Sequence, residues 1–142
     1  MVLVCVVEPA PRFLGKAVYT VSVQRDFVAQ HFLIGADWGD ESNVHSHDYR
    51  LELRLLGKEL DEHGFLVDIV GVEKQLDLEV ERYVGATLND LDDFEGINPS
   101  LEHFSQILCS RFGEHFRDLG LSSVEVRLWE SETAWASYRL EF

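Results

Sequence analysis

Cysteine is scarce in this chain. Cys5 and Cys109 are the only two in 142 residues, and they form no CxxC pair. A disulfide framework is therefore not expected, which suits a reducing compartment. Positive charge is scarce as well: 12 Lys and Arg stand against 26 Asp and Glu, for a formal net charge of −14. No basic cluster interrupts that excess, which argues against nucleic acid or an anionic membrane as the main partner. A polyanionic ligand would also have to overcome the protein's own field. Long apolar runs are missing too. The opening MVLVCVV is short, has no basic flank and reaches Glu8 and Pro9 at once, so it reads neither as a signal peptide nor as a membrane span. Neither repeats nor low-complexity stretches occur. The expectation is a soluble cytoplasmic protein.

What remains is a globular composition, 46% hydrophobic with three Trp, four Tyr and nine Phe. Its length suits a single domain over residues 1–142. Residues 1–8 read as a strand or an apolar arm, and EPAPRFLGK as a turn. From Ala17 to Leu33 the pattern alternates. Val21, Val23, Phe27, Ala29 and His31 share one parity, and Thr20, Ser22, Gln24, Asp26 and Gln30 the other, which predicts a strand with one apolar face. Arg25 breaks that face and marks a bend or an interface. The acidic, glycine-containing IGADWGDESN reads as an exposed loop. A second alternating run follows, with His45, His47, Tyr49, Leu51, Leu53 and Leu55 on one side.

KELDEHG reads as a turn and FLVDIV as a short strand. From about Gly71 the spacing of Val72, Leu76, Val80 and Tyr83 predicts a helix, and 84–97 a long loop. Asn98-Pro99 predicts the start of a second helix, with Asn98 as N-cap and Pro99 at the first helical position. Its buried stripe would be Leu101, Phe104, Leu108, Phe112 and Leu119, ending at Gly120. The last third reads as a hairpin, with Val124, Val126, Leu128 and Glu130 facing Ala136, Tyr138, Leu140 and Phe142. This order predicts an α+β layer structure: a four-stranded antiparallel sheet with two helices on one face. Apolar residues on the other face and two free edges would need a partner to cover them.

The chemistry-bearing residues gather between His31 and Tyr49. His45 and His47 are two apart, so on a strand they project from one face. If the two strands pair antiparallel, His31 joins them. Three neutral imidazoles with a fourth position open form the donor set of catalytic zinc. On spacing alone, ordinary polar strand residues account for HxH equally well.

With these residues in view the chain resembles the 6-pyruvoyl-tetrahydropterin synthase family, which includes the bacterial 6-carboxy-tetrahydropterin synthases. The similarity runs from about Val18 to Tyr138. The family's F-x-A-A-H-x-L is matched by FVAQHFL, and its HGHxY by HSHDY, with Ser46 for glycine. Its G-x-x-x-D-F is matched by GFLVDI around Asp68, its NPTxE by NPSLE, and its late strand with a pterin-anchoring glutamate by VEVRLWE. The resemblance implies a T-fold whose sheets join into a barrel in a trimer, with trimers stacking as hexamers. It implies Zn2+ on His31, His45 and His47, and a pterin whose amidine edge is gripped by Glu130. Ser100 and Glu102 of NPSLE are implied as further substrate contacts. A carboxylate suits the anchoring role because it accepts two parallel N–H bonds.

The proton-transfer residues depart from the pattern. Where the family has a cysteine four residues before the first histidine of HGH, this chain has Glu41. Where it has an Asp-His pair, alignment on Leu88-Asn89 leaves Val84 and Gly85. Two readings follow. In one, Glu41 is the base of a zinc-dependent lyase acting on the side chain of 7,8-dihydroneopterin or its triphosphate, with Asp90, Asp92, Asp93 or His103 as candidate acids. The acidic composition favours the dephosphorylated substrate. In the other, the chain keeps a zinc and pterin site without catalysis, or serves a different small molecule. His63, His115, Asp37 and Asp40 read as exposed and inert, and Trp38 as a possible cap of the pocket.

Overall fold

The computed structural model describes residues 17–142, so the expectations for the first sixteen residues, Cys5 included, lie outside it. Two long strands open the fold, β1 (Tyr19–His31) and β2 (His45–Gly57). Helices α1 (Ile69–Val80) and α2 (Leu101–Phe116) follow, then strands β3 (Ser123–Trp129) and β4 (Trp135–Glu141). The sheet order is β1-β2-β3-β4, antiparallel throughout. Among the described residues no helix is long and apolar enough to cross a membrane.

Alternation decides which face is buried. Val23, Phe27 and Ala29 of β1, Tyr49, Leu51, Leu53 and Leu55 of β2, and Val124, Val126 and Leu128 of β3 pack toward the helices. Leu76, Phe104, Leu108 and Phe112 meet them from α1 and α2. Phe104 is central: its ring lies 5.6 Å from Tyr49, 4.9 Å from Tyr83, 5.2 Å from Phe94 and 6.1 Å from Phe27. Arg25 does not bend the strand, whose pairing runs unbroken through it. Its guanidinium reaches over to α1 and bonds Asp77 at 2.6 Å.

The opposite face of the sheet is charged, contrary to the apolar face expected. At its centre Glu125 is buried, at 3% exposure, and accepts from Arg127 at 2.7 Å, Arg139 at 2.5 Å and Arg54 at 3.2 Å. Beside it Ser22 donates to Glu52 at 2.7 Å. Alternation gives these strands a polar row in addition to the apolar one, and cross-strand ion pairs satisfy it. Among the described residues the outer edge of β4 is free, as expected, while that of β1 is partly covered, since Val28 and Gln30 pair with the 85–87 segment.

Four local expectations need correction. FLVDIV is not a strand: Asp68 caps α1, accepting from the Val70 amide at 3.1 Å, so the helix starts at Ile69. The cap of α2 is Ser100, whose hydroxyl accepts from the His103 amide at 3.1 Å. Asn98 and Pro99 precede the helix and serve the strand beside it instead. The 84–97 stretch is not merely a loop, since it holds two 3-10 turns, Leu88–Asp90 and Asp92–Phe94, that bury Leu88 and Phe94. Finally, α2 tightens into a 3-10 turn after Phe116, which rotates Leu119 off the apolar stripe and leaves it exposed.

Candidate metal centre

The β1–β2 ladder ends with His31 opposite His45, and two rungs earlier Ala29 opposes His47. The three imidazoles converge there, with ring centroids 4.6, 4.7 and 4.9 Å apart and planes nearly perpendicular. One nitrogen from each lies within 4.8 Å of the others, and His31 Nε2 is 3.1 Å from His47 Nε2.

Carbonyl partners fix the tautomers. A carbonyl can only accept, so His31 Nδ1 donates to the Pro99 carbonyl at 3.1 Å and His45 Nδ1 to the Asn43 carbonyl at 2.8 Å. Both rings therefore turn a bare Nε2 inward. His45 Nε2 is buried and has no hydrogen-bond partner among the described residues. A buried lone pair without a donor is costly, and a cation removes that cost. Tetrahedral zinc with Zn–N of about 2.0–2.1 Å requires nitrogens roughly 3.3 Å apart, close to the His31–His47 spacing. Burial, then the imidazoles of His47 and His45, hold the His31 pKa down from 6.5 to about 4, against the opposing effects of the Pro99 carbonyl and Glu41. His31 is thus neutral at physiological pH, the form in which imidazole binds metals. The residues fit zinc.

Two asparagine amides hold the chain in place beyond His31. Asn89 accepts from the Phe32 amide at 2.9 Å and donates to the Phe32 carbonyl at 2.8 Å. Asn98 does the same for Ile34, at 2.7 and 3.1 Å. Each side chain imitates a neighbouring strand just where β1 stops. Sequence reasoning noticed both asparagines, one as an alignment anchor and one as a cap, but an amide's use as a stand-in strand needs a tertiary partner to be seen. Alongside, the Gly85 amide donates to the Val28 carbonyl and the Gln30 amide to the Ala86 carbonyl, each at 2.8 Å.

A cavity of about 930 Å³ adjoins His47. It exists because β3 pairs with β2 only from Arg50 onward, so His45–Tyr49 run past the end of β3. The β3–β4 turn forms the far wall. Trp129, Glu130 and Glu132 line it opposite Asp26, His47, Asp48 and Tyr49. Burial, and secondarily the charge of Glu130, push the Tyr49 hydroxyl's pKa up, so it stays protonated.

Glu130 is thus in the cavity wall. Glu41 is exposed in a 3-10 turn (Gly39–Ser42), tied by its carbonyl to the Leu33 amide at 2.9 Å, and its charge reaches His31. Ser100 caps α2 and Glu102 is exposed on its first turn; neither is among the residues lining this cavity. Asp90, Asp92 and Asp93 line a different pocket, with Tyr83. His103 bonds the Asn98 carbonyl through Nδ1 at 2.8 Å. Trp38 donates to the Ile34 carbonyl at 2.9 Å and does not line the cavity. Cys109 is buried, and burial raises its thiol pKa to about 11, so it cannot stand in for the missing cysteine at neutral pH. His63 and His115 are exposed, as are Asp37 and Asp40.

Residues 20–141 match the model of the 6-pyruvoyl tetrahydropterin synthase family. A 6-carboxy-5,6,7,8-tetrahydropterin synthase of Bacillus subtilis is 35% identical over 129 residues, covering 85% of this chain and 86% of that protein. The chain belongs to this family. Among solved structures, a Plasmodium vivax 6-pyruvoyltetrahydropterin synthase superposes with a TM-score of 0.73 at 14% identity, over 89% of this chain and 99% of that one. That structure is described as a catalytic-residue mutant in which a glutamate became cysteine. The Caenorhabditis elegans 6-pyruvoyl tetrahydropterin synthase gives 0.73 at 18% identity, over 91% and 100%. The four-stranded sheet with two helices is the T-fold of these neighbours.

Proposed function

We propose that this chain is a zinc-dependent pterin enzyme, a carbon–oxygen or carbon–carbon lyase acting on the side chain of 7,8-dihydroneopterin or its triphosphate. The observation that carries this is the buried, unpartnered Nε2 of His45 among three converging imidazoles, one of which, His47, lines a cavity that Glu130 also walls. His31, His45 and His47 would hold the ion. Zinc bound there would supply the positive charge that makes a side-chain hydroxyl easier to deprotonate.

Glu130 anchors the ring by accepting two N–H bonds from the amidine edge, and Trp129 beside it offers a flat apolar wall. Glu41 takes the proton. Its carboxylate is near enough to bias His31, and the Plasmodium vivax protein, by its description, has a glutamate as a catalytic residue. His103, on the segment whose Pro99 carbonyl orients His31, is the remaining candidate acid. Ser100 and Glu102 are proposed as further substrate contacts. The outer edges of β1 and β4 pair between copies, giving a trimer or hexamer in a cytoplasmic setting.

A second reading has its own observation. Val84 and Gly85 occupy the positions of the family's Asp-His pair, and neither moves a proton. A zinc- and pterin-binding protein without turnover, or an enzyme for another small molecule, is the alternative. Incubating zinc-loaded protein with 7,8-dihydroneopterin and with its triphosphate, then identifying products by mass, separates the two. Product that disappears in Glu41→Ala supports the enzyme. Tight binding without product from either compound supports the alternative.

A further inference from the structure

Resting on the zinc reading above, we propose that His103 is a positioning residue for the metal centre, holding the peptide segment whose carbonyl fixes the tautomer of His31. Two successive carbonyls carry the connection. The Pro99 carbonyl accepts from His31 Nδ1 at 3.1 Å, and the Asn98 carbonyl accepts from His103 Nδ1 at 2.8 Å. A carbonyl only accepts, so each imidazole has its hydrogen on Nδ1.

Proline links the two. Its ring locks φ at about −65°, and the peptide units on either side are planar. Once the Asn98 carbonyl is held, only ψ of the buried Pro99 is left to aim the next carbonyl. The start of α2 takes up that freedom, because the Ser100 hydroxyl accepts from the His103 amide at 3.1 Å. His103 thus grips both sides of Pro99, with its ring on Asn98 and its backbone on Ser100. A glutamate or glutamine at this third helical position commonly reaches back to the N–H of the cap residue. The imidazole offers a donor instead, and gives it to the carbonyl two residues before the cap. The Asn98 side chain, paired with Ile34 at 2.7 and 3.1 Å, keeps the same segment against the chain beyond His31. The acid role considered for His103 uses Nε2, whereas positioning uses Nδ1, and substitution separates them. An asparagine amide puts an N–H close to the place of Nδ1 and nothing at Nε2. Leucine keeps the bulk and offers no donor.

The test uses the full-length protein and zinc alone. Zinc affinity is measured in competition with a chromophoric chelator. The His31 tautomer is read in the metal-free protein from its imidazole nitrogen and proton resonances. The parent protein should show His31 in the Nδ1–H form. His103→Leu should mix the two tautomers and weaken zinc binding about tenfold, the scale of losing an outer partner of a metal ligand. His103→Asn should keep the Nδ1–H form and most of the affinity. Both variants should still melt cooperatively, since the Ser100 cap uses the backbone N–H at position 103. An unchanged tautomer and affinity in His103→Leu overturns the proposal. An equal loss in His103→Asn overturns it too, by assigning the effect to Nε2 or to packing. A parent protein that binds no zinc overturns the metal reading itself, and this inference with it.

Discussion

His31 and His45 stand directly opposite each other on the last rung of the β1–β2 ladder, and each donates its Nδ1 hydrogen to a backbone carbonyl. The pairing register brings two ligands together, and the carbonyls turn their free nitrogens inward. Ligand position and ligand tautomer are therefore both set by the backbone.

Zinc should accordingly stabilise the fold and depend on these rings. At free zinc about 100-fold above its dissociation constant, the stabilisation is about 2.7 kcal/mol. Thermal melts with and without chelator should differ by several degrees. His45→Ala should lose stoichiometric zinc by elemental analysis and melt identically in both conditions. A zinc-dependent shift surviving in His45→Ala would remove the metal from these histidines.

The asparagine clamps make a separate prediction. Asn89→Ala strips a donor and an acceptor from Phe32, the residue after His31. Leaving partly buried backbone groups unpaired costs about 1–3 kcal/mol. Urea denaturation should show that loss. Zinc affinity should fall about tenfold, as when an outer partner of a metal ligand is removed. Asn89→Asp retains the acceptor and should recover part of both.

Much of this site was legible in the sequence because it lies on strands. Period-two alternation placed His31, His45 and His47 on the buried face before any contact was known, and the same rule gave the sheet. Where segments serve a distant partner, local pattern misled. Asn98 carries a cap's chemistry, yet Ser100 two residues later has it as well, and only the exposed backbone of Ile34 decides which does the capping. The charged face around Glu125 was misjudged because its acid and its three arginines come from three strands. Each looks like a solvated residue until the strands are laid side by side. The cavity follows from the mismatch in length between β2 and β3, which became clear only once the pairing was known.

Phe104 links the core to the metal centre. Its ring supports Tyr49 and Phe27, which flank the histidine end of the sheet. Phe104→Ala should cost about 3–5 kcal/mol, the usual loss for a large buried aromatic. If Tyr49 settles into the space, His47, packed 5.7 Å from it, shifts as well. Zinc affinity should then fall along with stability. Phe104→Leu, which refills much of the volume, should restore zinc affinity more fully than Phe104→Ala does.

Glu125 gives the pH dependence. Burial alone would raise its pKa, but hydrogen bonds from Arg139 and Arg127 and the charge of Arg54 outweigh that and hold it below the ordinary 4.5. A group whose folded pKa is depressed binds its proton more readily when unfolded. Its contribution is therefore complete above about pH 4.5 and is lost as pH falls through the folded pKa. Glu125→Gln should destabilise the protein at pH 7 by about 1–3 kcal/mol. This is less than for a fully buried pair, because Arg139 is half exposed and keeps water. As pH falls below about 4.5 and through the depressed folded pKa, the parent protein loses the same contribution, so the two denaturation curves should converge. A variant that stays equally far below the parent protein from pH 7 down to pH 3 would show that Glu125 acts through packing and not through its charge.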